Sequence, residues 1–389
     1  MSKQDKNISI SAKDAFIGYL LLACTVLSLI IANTNLGMNY LELWNHPIGG
    51  HELSSWINDG LMAIFFLLVG LELKREFLYG ELKSIKQATL PLAAAIGGML
   101  VPAVIYLIFN WGQDALRGFG IPMSTDIAFV IAIIAILGSR VPPALKVFLT
   151  ALAVIDDLGA VLVIAIFYTA HFSLPHLMLA ILLFITMVLF GQIVKPKTRG
   201  VENIITLTLL VASTGLWFLI MKAGIHASVS GILVALTIPS YKGSSDAPSA
   251  RLERYLHKPV YLLILPLFVL SNTAIPLSHL MTGSANDFFS QSHIAGIAMG
   301  LFLGKPLGIL LGVWWALVRG WGKLPEGVQI RHIVGAGFLG GIGFTMAIFI
   351  TSLAFGNSPT ADSAKIAIIG TSALAASLGY CILNKTSFQ

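Results

Sequence analysis

ALKVFLTALAVIDDLGAVLVIAIFYTA, Ala144 to Ala170, decides the reading of this chain. Between Lys146 and His171 the only charged side chains are Asp156 and Asp157. The stretch is long enough to cross a bilayer, which takes about 20 apolar residues. Both acids lie near its middle, at the depth of the membrane midplane. Each ionised Asp there costs roughly 2.5–3.5 kcal/mol on an insertion scale. Asp is too short to snorkel to water about 15 Å away. A carboxylate pair kept at that cost marks a functional site.

Composition agrees with this class. The chain has 389 residues, 56% hydrophobic and only 11% charged, as in a polytopic membrane protein. Cys24 and Cys381 both sit in apolar runs, so neither a disulfide framework nor a metal site is indicated. The N-terminus MSKQDKNISISAKD is too polar for a signal peptide, so the first apolar run is expected to be an uncleaved anchor.

Apolar runs fall at Ala15–Asn33, Trp56–Leu73, Gln87–Asn110, Ile121–Leu137, Val147–Ala170, His176–Val194, Val201–Met221, Gly224–Pro239, Val260–Ile275, His293–Val318, His332–Phe355 and Ile366–Leu383. They predict an all-α polytopic fold of about twelve transmembrane helices. Placed on alternating sides, the basic residues separate. One side collects Lys74, Arg75, Lys83 and Lys86, then Lys195, Lys197 and Arg199. The other receives Arg117, Lys222 and Lys365, and Lys305 falls inside a span. The positive-inside rule puts both termini in the cytoplasm. The net charge of +6 is therefore topological, and nucleic-acid binding drops out. The longest outer loop, Thr34–Ser55, carries a weak β-hairpin signal around Gly49-Gly50. The inner stretch KGSSDAPSA, from Lys242, reads as a plain loop.

Two runs do not read as simple helices. The fourth carries Pro122, Thr125 and Asp126 in its first half, and the eleventh carries Gly335, Gly337, Gly340, Gly341 and Gly343. Interrupted helices at corresponding places in two halves point to a transporter's binding site, although small residues also serve close helix packing. If both helices break midway, two N-terminal ends face each other, and so do two C-terminal ends. Each end carries about half an elementary charge. Asp126 suits the positive pair; Lys305 suits the negative pair or one of the aspartates. Asp156 and Asp157 point about 100° apart, so one can face a cavity while the other faces Lys305. Carboxylate, hydroxyl and carbonyl oxygens suit a small hard cation, and the same carboxylates bind protons. Competition at a site open alternately to each face yields exchange.

These residues carry a resemblance. WINDGLMAIFFLLVGLELKRE, AAIGGMLVPA, TDIAF, LGSRVPPALKVFLTALAVIDDLGA, GIHAS, GKPLG, LPEG, GIGFTMAIFI and SLAFG run in family order from Trp56 to Gly356. The chain resembles the bacterial NhaA-type sodium/proton antiporters. That family is a standard inverted-repeat example, so the resemblance carries this architecture. It implies interrupted, crossed helices 4 and 11, a small periplasmic β-hairpin and a homodimer joined partly through that hairpin. It implies one transporter domain over residues 1–389, with a core of helices 3–5 and 10–12, multi-pass in the bacterial inner membrane. The implied activity is electrogenic exchange of Na+ or Li+ for more H+, with membrane lipid as surroundings, no cofactor and no enzymatic chemistry. It assigns ion and proton binding to Asp156, Asp157 and Thr125, and charge compensation to Asp126 and Lys305. It assigns pH sensing to Glu72, Arg75, Glu76, Glu253 and His257; the family is shut at acid pH and open at alkaline pH. From the residues alone, Glu72 and Glu76 lie one turn apart at a helix C-terminus, where the dipole disfavours anions, though Lys74 and Arg75 offer partners. His226 reads as a satisfied buried histidine. Two positions depart from the family pattern: Arg254 stands where a histidine is usual, and VLSNTAIP replaces an Ala-Asn-Ala-Gly type stretch.

Three other functions fit less well. An intramembrane aspartyl protease needs two aspartates on different helices, and no Gly-x-Gly-Asp motif is present. A cation channel usually builds rings from repeated subunits. A sodium-coupled symporter would need a cavity for an organic substrate.

Overall fold

A computed structural model describes residues 3–80, 83–169, 172–193, 199–241, 247–277 and 290–385. Helix α1 covers Lys3–Ala32 and α2 Gly37–Asn45. Strands β1, Pro47–Ile48, and β2, His51–Glu52, pair antiparallel, Ile48 opposite His51. Gly49 and Gly50 turn the chain between them with φ of 61° and 88°, the left-handed backbone that a two-residue hairpin loop requires. Helix α3 follows as Leu53–Tyr79 and α4 as Ile85–Phe109. A 3-10 segment, Asp114–Met123, leads to α5, Ile127–Leu137, and then α6, Pro143–Phe167. Next come α7 Leu174–Ile193, α8 Arg199–Lys222, α9 Ser230–Thr237, α10 Pro248–Pro259 and α11 Leu265–Asn272. The chain continues with α12 Ser292–Val318, α13 Ile330–Gly340, α14 Phe344–Phe355 and α15 Pro359–Lys385.

Among the described residues nine helices are long and apolar enough to cross a membrane, or up to ten with α13 and α14 as one span bent by 43°. Two of the expected runs fall short for visible reasons. In Gly224–Pro239 the chain turns at Gly224, φ 86°, and passes through a 3-10 turn, which leaves only the short α9. Ahead of Val260 stands α10, which carries Arg251, Glu253, Arg254, His257 and Lys258. The loop read from Lys242 lies outside the described residues as far as Asp246. Beyond it Pro248 opens α10 at the first helical position, where its missing N–H costs nothing. Lys195 and Lys197 lie outside the described residues as well.

The chain forms two compact units. One comprises residues 1–41, 84–160 and 272–389, the other 42–83 and 161–271. In the first, α4 and α12 touch backbone to backbone. A Cβ at Gly308 would lie 2.2 Å from the Gly97 carbonyl oxygen, and one at Gly312 2.0 Å from that of Ala93. Small residues replace hydrophobic drive as the means of helix association in lipid. In the second unit Leu67, Leu71, Leu209, Leu216, Val234 and Ala235 form the core. There Gly231 brings α9 onto α3, since a Cβ would meet the Ala63 carbonyl at 2.1 Å.

Candidate functional site

Of the most apolar 18 residues within Asp114–Arg140, 72% are buried, against 17% for Leu174–Gly191, so the end of the 3-10 segment and most of α5 lie in the interior. Between them Ser124 and Asp126 are extended, with ψ of 154° and 100°. Opposite, α13 ends at Gly340 and α14 begins at Phe344. The two interruptions join directly: the Asp126 N–H donates to the Ile342 carbonyl at 2.6 Å.

Asp126 serves two helix N-termini. Its Oδ1 accepts from the Ala128 and Phe129 N–H groups at 3.1 and 3.4 Å, capping α5. Its Oδ2 accepts from the Thr345 N–H at 2.9 Å and the Thr345 hydroxyl at 2.5 Å, in the first turn of α14. One carboxylate thus meets two positive dipole ends and four donors.

Asp156 lies on α6, wholly buried, as does Lys305 on α12. Lys305 Nζ stands 2.5 Å from Asp156 Oδ2. The Thr125 hydroxyl is 2.7 Å from the same oxygen and 2.9 Å from the Gly340 carbonyl, at the C-terminal end of α13. A hydroxyl has one proton, so Thr125 donates to one of these oxygens at a time. Asp156 Oδ1 is buried and accepts no hydrogen bond among the described residues. Asp157, 2% exposed, is the next residue on the same helix. A π turn, Gly300–Gly304, precedes Lys305, whose N–H reaches back to the Gly300 carbonyl. Pro306 has no N–H to give the Phe302 carbonyl, so the helix is loosened beside the ammonium.

The residues expected to sense pH lie in the other unit, and the structure brings several together. Arg75 on α3 bridges Glu253 on α10 and Glu76, the latter at 3.2 Å. Burial pushes the Glu253 carboxyl above the ordinary carboxylate range; Arg75 opposes that rise and Glu76 adds to it. Glu72 stands one turn before Glu76, half-buried. His257 lays its ring 4.6 Å from that of Tyr261, between centroids. Lys74 does not serve as a partner for these acids in the way its spacing suggested. Its ammonium donates to the carbonyls of Ala235, Leu236 and Ile238 at 3.3, 3.0 and 2.5 Å, capping the C-terminal end of α9. His226 is a satisfied histidine, 3.3 Å from Asp59 Oδ1 and 3.1 Å from Ser228 Oγ.

Sequence reasoning missed Thr345 and the Gly340 carbonyl. The only available signal was a threonine two residues after the last glycine of GIGFT.

Comparison with known proteins gives a consistent result. The family model described as Na+/H+ antiporter 1 matches residues 9–383. A Na(+)/H(+) antiporter NhaA from Flavobacterium psychrophilum is 46% identical over 94% of this chain and 92% of its own length. One from Dechloromonas aromatica is 45% identical over 99% and 96%. Among solved structures, the sodium proton antiporter MjNhaP1 of Methanocaldococcus jannaschii shares the fold, with a TM-score of 0.54 over 99% of this chain and 98% of that one at 14% identity. A match over nearly the whole length, joined to a carboxylate, hydroxyl and ammonium buried together, identifies this multi-span chain as a member of the Na+/H+ antiporter 1 family.

Proposed function

We propose that this chain extrudes Na+, or Li+, in exchange for a larger number of H+ by alternating access, with cation and protons competing at Asp156 and Asp157. The observation that carries this reading is the buried group of Lys305, Asp156 and Thr125. Asp156 Oδ1 is an oxygen in reserve, and the Thr125 hydroxyl turned toward Gly340 exposes a lone pair. Hard cations bind through such oxygens. A cation arriving at Asp156 competes with the Lys305 ammonium as well as with protons. Unequal charge in the two directions makes the exchange electrogenic.

Asp126 and Lys305 compensate the helix ends at the crossing. Glu72, Arg75, Glu76, Glu253 and His257 adjust activity to pH. The same reading gives about twelve helices in inverted repeats, with the fourth and eleventh interrupted, and one transporter domain with helices 3–5 and 10–12 as its core. The protein is a homodimer joined partly through β1–β2 on the periplasmic side, in the inner membrane among its lipids, with both termini cytoplasmic. Proteoliposomes loaded with sodium test the function. The lumen should acidify and become positive as sodium leaves, with no organic solute present. Sodium efflux without acidification would overturn the proposal.

A further inference from the structure

The unit of residues 42–83 and 161–271 contains a groove that the transport reading does not use. Its volume is about 450 Å³, within the range of small-ligand sites. Trp56 and Ala63 on α3, Trp217 and Phe218 on α8, and Gly231 and Val234 on α9 line it. Trp56 and Phe218 are 41% and 49% exposed, so the groove opens outward from an apolar surface. Its hydroxyls are already spent: Ser213, Thr214 and Ser230 donate to carbonyls of their own helical turns. Both indole N–H groups are committed too, Trp56 to the Ile48 carbonyl at 2.8 Å and Trp217 to that of Asp59 at 3.2 Å. What remains is a pair of stacked indoles, their ring centroids 6.2 Å apart and their planes 15° from parallel, in a lining that offers water few partners.

A cation stands beside the lining residue Phe218. Lys222, exposed in the last turn of α8, holds its ammonium 5.4 Å from the centre of the Phe218 ring. The nearby carboxylate, Asp59, faces His226. An apolar slot with a cation at its edge has the chemistry of a lipid site. We infer that this groove holds an acyl chain of one anionic phospholipid, with the phosphate against Lys222. The chain gains no hydrophobic free energy on leaving the bilayer, because lipid tails are as apolar as Leu. Shape therefore admits the chain, and the ammonium selects the headgroup. Trp56 also links the site to the hairpin through Ile48, so an occupant supports β1.

The test uses the full-length protein in nanodiscs with trace phosphatidylglycerol or phosphatidylcholine carrying a photoreactive acyl chain, and peptide mapping of the adducts. The phosphatidylglycerol probe should label residues 56–67, 213–218 and 230–234 about fivefold more than the phosphatidylcholine probe, the preference expected of one interfacial cation. Lys222→Gln, an exposed change that leaves the packing alone, should abolish that preference. Ala63→Phe, which fills the groove, should lower labelling by both probes. Equal labelling by the two lipids in the unaltered protein, adducts confined to other surfaces, or crosslinks showing a second copy seated on the groove would each overturn the assignment.

Discussion

Lys305 and Asp156 meet at 2.5 Å with neither side chain reaching the surface. Each is the other's compensation for leaving water. Removing one partner strands a buried charge, at a cost of about 3–5 kcal/mol. Lys305→Ala should therefore lower the melting temperature in detergent as well as transport. Adding Asp156→Asn to Lys305→Ala should recover part of the stability but none of the exchange. An unaltered melting temperature in Lys305→Ala would remove the pair from the account of stability.

Asp157→Asn should abolish exchange. It keeps the volume of a residue that is 2% exposed and takes away the carboxylate that the proposed cation site requires. Proteoliposomes bearing it should show sodium-driven acidification no faster than empty vesicles. Wild-type exchange there would exclude Asp157 from the ion site.

Thr345 ties α14 to Asp126 through both its N–H and its hydroxyl. Thr345→Val exchanges the hydroxyl for a methyl and should cost about 1–3 kcal/mol, because a buried carboxylate oxygen loses a donor. Thr345→Ser should restore most of it. Equal thermal stability of the Val and Ser variants would mean that the backbone contact alone holds the crossing.

Competition and sensing separate by kinetics. If protons merely compete with sodium at Asp156 and Asp157, acid should raise the apparent Michaelis constant for sodium and spare the maximal rate. If the cluster around Glu253 also gates the protein, acid should lower the maximal rate even at saturating sodium. Gln at position 253 imitates the protonated acid, so Glu253→Gln should move the activity profile toward alkaline pH with sodium affinity there nearly intact. A profile for Glu253→Gln that coincides with the wild type would leave the sensor without support.

Stability gives an independent check on the same residue. Burial raises the Glu253 carboxyl in the folded protein, so the folded state holds its proton more tightly than the unfolded chain. Its contribution is fully present below the unfolded value of about 4.3 and is lost as pH rises through the folded value. Glu253→Gln lacks that loss. The melting temperature of wild type minus that of Glu253→Gln should fall as pH rises across this window. A difference that grows with pH would mean that pairing with Arg75 outweighs burial.

The sequence by itself determined the membrane class and picked out Asp126, Asp156, Asp157 and Lys305, all of them buried; Lys365, which it placed in an outer loop, is buried on α15 as well. These follow from local facts: apolar run length and the cost of charge in hydrocarbon. Pro122 and the glycines of the eleventh run are local helix breakers that the sequence alone displays. The sequence left open which aspartate faces Lys305, since neighbours 100° apart on one helix differ only in what packs beside each. The tertiary structure decided that: α12 approaches α4 backbone to backbone at Gly97 and Gly308, and Lys305, one turn before Gly308, reaches Asp156. It likewise decided that Lys74 caps α9 and leaves Arg75 to bridge the acids, a choice set by helix ends that sequence spacing does not reveal. Thr345 and Asp126 are 219 positions apart in the chain, and no periodicity links residues at that separation. Only the packing that brings the N-termini of α5 and α14 to one carboxylate makes them partners.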